Sequence, residues 1–200
     1  MVASGKKNVG RPRKGTRGLD LKQVIDEAWK IVDEQGIAKL STRSLAASLH
    51  VQSPALYWHV KSKEELLSLM IEDLLQHSLS DSPAGMSWQD WLKHIGRRQR
   101  NLLLSHRDSG MVAALAPPTE RLRTELFPKI FGPLVTAGFS AQEASSTAGA
   151  LAGMVLGWVI YEQRRETLEF VESFHSPGEG FELALDLLVQ GAQVRIAPQK

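Results

Sequence analysis

Apolar side chains recur at helical spacing along most of the chain, and this periodicity constrains the fold more than any other feature of the sequence. Pairs typical of capping boxes mark helix starts at Asp20, Ser62 and Ser140, because each is followed three residues later by Gln or Glu. No segment shows the convincing apolar-polar alternation that a half-buried strand requires. The sequence therefore predicts an all-α fold.

Four helices are predicted in the first eighty residues. The first two begin after Asp20 and Ser41, and the fourth begins at the second capping box. The third is expected to have Ser53 as its cap and Pro54 at its first position, and to run over residues 55–60. The second and third helices are then separated by a tight connection of three or four residues. His50 lies in this connection, where a turn often has a Gly with positive φ, although His is tolerated there.

Charge is divided unevenly along the chain, although the net charge is only +2. Residues 1–63 hold 12 Lys or Arg against 5 Asp or Glu, a net charge of +7, whereas residues 64–200 hold 12 against 17, a net charge of −5. Residues 1–18 carry six of these cations, no acid and almost no large apolar side chain. They are predicted to form a disordered basic arm in front of an anion-binding region.

A loop rich in Ser, Pro and Gly at residues 80–86 separates the basic front from the acidic remainder and is the predicted domain boundary. It divides an N-terminal domain, residues 19–79, from a larger helical domain, residues 87–197. In the larger domain, apolar residues continue on nearly all sides of the helix that follows Ser140, which predicts that this helix is buried.

Several classes of protein are disfavoured by what the sequence lacks. It contains no cysteine, and it has no Gly-x-Ser-x-Gly elbow, phosphate-binding Gly-rich loop or His-Glu-x-x-His pair. His106 and Asp108 are two positions apart, a spacing that turns them away from each other on a helix. The longest mainly apolar run, residues 148–161, is shorter than the roughly 20 residues of a membrane helix. We expect a cytoplasmic protein that is not an enzyme, makes no membrane contact and needs no cofactor.

The short second and third helices have the arrangement of a helix-turn-helix motif. Small residues at the start of the third helix suit entry into the major groove, and polar or aromatic side chains near both helices can reach bases or phosphates. Arg43, at the start of the second helix, can bind a phosphate or alternatively reach guanine, and it is the preferred candidate for direct readout. The predicted contacts are Thr42, Arg43, Ser53, Pro54, Ala55, Tyr57, Trp58, His59 and Lys63. The alternative for Tyr57, Trp58 and His59 is that they cover a small core.

Two further patterns predict contacts beyond this motif. Gly10-Arg11-Pro12-Arg13 is similar to the Gly-Arg-Pro core of AT-hook segments, so Arg11 and Arg13 are candidates for the minor groove; a generic cationic tail is the alternative. Gly149, Gly153 and Gly157 recur every fourth residue, and small residues so placed allow close helix approach. They predict either a subunit interface or packing within one subunit.

The motif sequences resemble the tetracycline-repressor (TetR) family. Leu-Ser-Thr-Arg-Ser-Leu-Ala at 40–46 and Val-Gln-Ser-Pro-Ala-Leu-Tyr-Trp-His-Val-Lys-Ser-Lys at 51–63 are similar to its DNA-binding domain. The resemblance continues at 87–92, 104–108 and 138–140, which points to the tetracycline repressor branch. It implies a homodimeric repressor that binds operator DNA, with a C-terminal domain that dimerises and binds an effector.

Departures from that branch imply a different effector. The positions of the metal-binding His and Glu are Ala113 and Tyr161, and Pro117-Pro118 replaces an Arg-Pro of the drug site. Other polar drug-contacting positions fall on Leu79, Ile95 and Gln99. The expectation is a small, more apolar ligand bound without metal. The candidate wall residues are Trp88, Trp91, Ile95, Gln99, Met111, Leu115, Phe131, Met154, Trp158 and Tyr161, and plain core packing is the alternative for each.

The sequence thus predicts a dimeric repressor released from its operator by a small-molecule effector. Two alternatives remain at this stage. One is an activator, or a regulator that responds to no ligand, with the same DNA-binding head; the other is an architectural protein that binds A·T-rich DNA through the basic arm.

Overall fold

The computed structural model describes residues 19–80, 82–83 and 85–196, so the predicted basic arm lies outside the described residues. Within that part the chain forms α-helices and no strand, which confirms the all-α prediction. The helices are α1 (Leu21–Gln35), α2 (Thr42–Ser48), α3 (Ser53–Tyr57), α4 (Lys63–Leu79), α5 (Trp88–Leu104), α6 (Ser109–Leu115), α7 (Phe127–Thr136), α8 (Ala141–Glu162), α9 (Arg165–Glu172) and α10 (Pro177–Ile196).

Helices α1 to α4 enclose the first of two apolar cores. The Asp20 side chain accepts from the Gln23 backbone N–H and completes a capping box at the start of α1, as predicted. One face of α1 is buried in this core against residues of the next three helices. Its members include Val24, Ala28, Val32, Leu45, Leu56, Leu66 and Met70.

The connection from α2 to α3 turns sharply at His50. Its φ of 54° lies in the left-handed region, as expected for this position, and His is among the few non-Gly residues found there with some frequency. The His50 N–H donates to the Ala47 carbonyl at 3.1 Å, and the Val51 N–H donates to the Ala46 carbonyl at 3.0 Å. This pair of bonds is the Schellman pattern, which ends α2 and redirects the chain into α3.

Helix α3 differs in detail from its predicted form. It begins one residue earlier, after Gln52, and no side chain caps it. Ser53 is therefore its first residue rather than its cap, because a cap must lie in extended backbone outside the helix and Gln52 has that conformation, with φ −76° and ψ 145°. The helix also ends sooner, at Tyr57.

Helices α5, α7, α8 and α10 enclose the second core. Its fully buried members include Leu92, Ile95, Leu134, Leu151, Phe181 and Leu185. A π-helical segment, Leu122–Leu126, leads directly into α7, where Pro128 has no backbone N–H to donate. Ion pairs add to the contact of α5 with α8 and α10: Arg100 pairs with Glu162 at 2.6 Å and Arg97 with Glu182 at 2.6 Å.

Three of the ionisable groups on and around α5 have shifted pKa values, and the pKa of Arg97 is raised by its hydrogen bond to Glu182. The hydrogen bond from Arg97 lowers the pKa of Glu182. Burial lowers the pKa of the His94 imidazole, and the charges of Arg98 and Arg97 lower it further. The neutral imidazole is therefore favoured in the folded chain.

Helix α8 is buried on one face only, so the prediction that it is enclosed on all sides is wrong for the single chain. Ala144, Ala148, Leu151, Val155 and Val159 are buried, whereas the opposite face is exposed. By length and composition this helix could also cross a membrane, a test that core helices of soluble proteins pass as well, and 28% of its apolar window is buried within the chain.

Candidate DNA-binding surface and ligand cavity

Helix α3 is attached to the first core by one side chain and presents its other side chains to solvent. Leu56 is 1% exposed and packs in the core, while the neighbouring Tyr57 and Trp58 are 50% and 89% exposed. Large aromatic side chains with this exposure do not cover a core, which removes that alternative for these two residues. They form, with the exposed start of the helix at Ser53, Pro54 and Ala55, one accessible surface.

The remaining predicted DNA contacts surround α3. Arg43 is exposed at the start of α2, and Thr42 and His59 are half-buried. The Lys63 ammonium donates to the Ile37 carbonyl at 3.1 Å, which leaves two of its three N–H donors for another partner. Arg11 and Arg13 lie outside the described residues. The roles of all these residues in DNA binding stay predictions.

The connection from α5 to α6 joins the two parts of the chain. The Asp33 carboxylate, on α1, accepts from the Arg107 backbone N–H at 2.9 Å and bonds the His106 ring at 2.9 Å. Trp29, also on α1, stacks on the His106 ring with 4.3 Å between centroids. In the other direction, the Asp108 carboxylate accepts from the Ile37 N–H at 3.0 Å.

The end of α8 holds the same connection from its other side. The Gln163 amide nitrogen donates to the His106 carbonyl at 2.7 Å, and its oxygen accepts from the Gly110 N–H at 3.0 Å. A Cβ added at Gly110 would lie 2.8 Å from the Ile160 side chain. The α5–α6 connection is therefore packed between α1 of the first core and α8 of the second. Sequence reasoning missed this contact: it considered only the spacing of His106 and Asp108 on a helix.

Asp108 allows a test of how much this contact contributes to stability. Its φ of 53° is left-handed, and its carboxylate accepts the Ile37 N–H. Asp108→Ala loses both the acceptor and a residue tolerant of this conformation, so we expect the free energy of unfolding in urea to fall by about 1–3 kcal/mol. Asp108→Asn keeps an acceptor and the tolerance and should lose much less. Equal losses in the two variants would contradict this account.

A cavity of about 150 Å³ lies between α4, α5, α6 and α8. Its wall is almost entirely apolar: among the described residues that line it, only Gln99 has a polar side chain. The lining residues are Ile71, Leu74, Leu75, Gln99, Leu102, Leu103, Ala113, Ala152, Val155 and Leu156. A smaller cavity of about 110 Å³ adjoins it and shares Ile71 and Ala113.

Gln99 is the one predicted wall residue that lines the larger cavity; the other nine lie elsewhere. Trp88, Trp91 and Ile95 are buried in the second core, and the Trp91 indole N–H donates to the Ile130 carbonyl at 2.8 Å. Phe131, Met154 and Trp158 pack against that core. Met111, Leu115 and Tyr161 are exposed. A ligand role for these nine residues stays a prediction.

The cavity wall was only partly predictable. Which side chains of a buried stripe leave space between them depends on packing between helices, which no local pattern reports. Ala113 had been singled out as the position of a metal-binding His in the resembling branch, and it lines both cavities. The described residues contain no group of three or more His, Asp or Glu side chains placed to hold a metal ion.

The exposed face of α8 contains the glycines predicted for helix approach. Apart from the adjacent residues and the backbone of α8 itself, no atom of the described chain lies within 4 Å of a Cβ added at Gly149, Gly153 or Gly157. These glycines therefore do not serve close packing inside the subunit. Helix α10, which packs on α8, exposes Leu183 and Leu187 by 61% and 60%.

Comparisons with known proteins assign both parts of the chain to the same family. Residues 24–70 match the family described as "Bacterial regulatory proteins, tetR family", and residues 81–174 match "Tetracyclin repressor-like, C-terminal domain". The tetracycline repressor protein of class E from Escherichia coli is 34% identical over 157 residues, which cover 76% of this chain and 72% of that repressor. The chain belongs to the TetR family. This confirms the resemblance found in the motif sequences.

Solved structures of TetR-family proteins agree with this assignment. A TetR variant from Acinetobacter baumannii AYE in complex with minocycline has a TM-score of 0.77 and 31% identity, covering 90% of this chain and 99% of that one. BioQ with its double-stranded DNA operator has a TM-score of 0.69 and 29% identity, covering 87% of this chain and 98% of that one. The protein is thus a DNA-binding transcriptional regulator with a helix-turn-helix motif and not an enzyme.

Proposed function

We propose that this TetR-family regulator is a homodimeric repressor that a small, largely apolar, metal-independent ligand releases from a palindromic operator. The observation that carries the proposal is the exposure of Tyr57 and Trp58 beside the buried Leu56. An α-helix fits the major groove, and each dimer would insert two α3 helices into grooves about one helical turn apart.

The exposed surface of α8 and α10 supports the homodimer. Exposed glycines on α8 leave room for another helix, and the exposed leucines of α10 supply apolar side chains to fill it. The same surface in a second copy would bury both, since two-fold dimers place one patch against itself. It would also enclose the face of α8 that a single chain leaves exposed.

The cavity beside Gln99 supports a small effector held without metal. Its volume of about 150 Å³ is below the roughly 300 Å³ at which pockets for drug-sized ligands begin. The wall residue Ala113 supplies no metal ligand where the resembling branch has His. The related TetR variant binds minocycline; the present cavity favours a smaller and less polar molecule.

The packed α5–α6 connection offers a route from effector to DNA. The cavity is lined by residues of α4, α5, α6 and α8, and the connection bonds to α1 through Asp33 and Asp108. A ligand that moves α6 or α8 would therefore change the position of α1, and with it that of the α2–α3 motif. A coupling of about 1–3 kcal/mol would change DNA affinity several-fold to roughly a hundredfold.

Operator binding with and without effector tests this function. Small apolar compounds that raise the melting temperature would be titrated into the dimer by calorimetry, with and without operator duplex selected in vitro. We expect operator to weaken effector binding by the same factor by which effector weakens operator binding. Unequal factors, or no release by any such ligand, would instead favour a regulator that responds to no ligand. In the cell we expect the regulator in the cytoplasm, where its DNA is.

Deletion of residues 1–17 tests the contribution of the basic arm. The arm carries six cations, and each one that neutralises a phosphate adds about 0.9 to the slope of log affinity against log salt. We expect weaker operator binding and a slope smaller by up to about five per subunit, measured by fluorescence anisotropy. Unchanged affinity at low and moderate salt would refute a role of the arm, and binding that depends on the arm alone would indicate an architectural protein.

A further inference from the structure

The side chain of Gln99 lies among apolar side chains and makes no hydrogen bond to the described residues. The residue is 7% exposed, it lines the cavity of about 150 Å³, and its amide makes no hydrogen bond within the part of the chain that the structure describes. A primary amide has two N–H donors and a carbonyl acceptor. Polar groups of largely buried side chains are normally paired. Neither amide atom of Gln99 is among the fully enclosed unpaired atoms, so the amide reaches space that another molecule can occupy.

We propose that Gln99 is the polar anchor of the effector site, and that the effector is a small apolar molecule with one neutral hydrogen-bonding group, such as a phenol or an alcohol. This inference rests on the cavity of the proposed function and adds the chemistry of the ligand. A hydroxyl both donates and accepts, so it satisfies either end of the amide. The rest of the wall is aliphatic and matches an apolar body.

The walls argue against a charged ligand. The lining residues described for this cavity include no Lys, Arg, Asp, Glu or His. A buried charge without a partner is strongly disfavoured. Glu72, the carboxylate that lines the adjoining cavity, already bonds Thr119 and, at 3.2 Å, Arg121. The effector is therefore expected to present a single neutral polar group to Gln99.

Benzene and phenol are probes of the right size that differ by one hydroxyl. An engineered apolar cavity of about this volume in another protein binds benzene. Each probe would be titrated into the full chain by NMR, and the ratio of the two dissociation constants measured. We expect that the preference for phenol over benzene falls about tenfold or more in Gln99→Leu, a variant of similar volume that cannot hydrogen-bond.

The matched control is Gln35→Leu, at the exposed end of α1, which should keep the ratio of the unaltered chain. If Gln99→Leu does not fold, the unaltered chain provides a second test. In that chain, phenol should shift the NMR signals of the Gln99 side-chain NH₂ group more than benzene does. An unchanged ratio in Gln99→Leu, equal shifts from both probes, or binding of neither probe would overturn the proposal. These titrations use no DNA, so their failure is distinct from a failure of operator binding or release.

Discussion

Replacement of Arg43 by alanine lowers the affinity of the dimer for its operator by roughly 30-fold to more than 10,000-fold. A bidentate Arg–guanine contact contributes about 1–3 kcal/mol of discrimination, and the proposed dimer would make it in both half-sites. The side chain is exposed at the start of α2, so its loss should not alter the fold. Fluorescence anisotropy on the selected operator and on single base-pair variants measures both the affinity and the base preference.

Lys30→Ala is the control for the loss of a cation. Lys30 is also exposed on the N-terminal part of the chain, with a side-chain exposure of 60%, and it is not among the predicted contacts, so its removal should change affinity little. Affinities for the single base-pair operator variants distinguish the two possible partners of Arg43, a guanine base and a phosphate. A guanine contact predicts that Arg43→Ala abolishes the preference at one position of each half-site, whereas a phosphate contact predicts a uniform loss. If the Arg43→Ala variant binds the operator as tightly as the Lys30→Ala variant does, neither a guanine contact nor a phosphate contact of Arg43 is supported.

Replacement of Gly153 by leucine converts the dimer into monomers and weakens operator binding by about 100-fold or more. Apart from the adjacent residues and the backbone of α8 itself, no atom of the described chain lies within 4 Å of a Cβ at this position. The subunit therefore tolerates the side chain, and leucine favours the helix more than glycine does. Only a partner helix seated on this face would be obstructed. A monomer covers one half-site and loses the avidity of two linked sites, which is typically 10²–10⁴.

Light scattering measures the expected change from twice the 22.1 kDa chain mass to a single chain mass. Circular dichroism shows whether the helices remain. Gly178→Leu is the matched control, since Gly178 is exposed at the start of α10 and also has no atom within 4 Å of an added Cβ. A Gly153→Leu variant that stays dimeric and binds operator normally would place the interface elsewhere.

Local features of the fold could be predicted from the sequence because their causes are local. The capping boxes at Asp20 and Ser140 and the left-handed His50 each depend on residues within four positions. The error at Ser53 is also local: Gln52 takes the extended conformation, so the helix begins one residue before the predicted start.

Long-range features could not be predicted in the same way. The Asp108 bond to Ile37 spans 71 positions and the Gln163 bond to His106 spans 57, and no periodicity indicates either. The apolar character of α8 was read correctly, but the single chain buries only one face of this helix. Gln99 was identified as a wall residue through the family resemblance, whereas its lack of a partner became visible only in the packed structure.

The insertion of α3 into the major groove is tested most directly by dimethyl sulfate protection of operator DNA bound by the full chain. The reagent methylates guanine N7, which lies in the major groove, and adenine N3, which lies in the minor groove. We expect protection of guanine N7 in two patches about ten base pairs apart, arranged with two-fold symmetry. Protection of adenine N3 alone, or of a single unsymmetrical patch, would contradict the account.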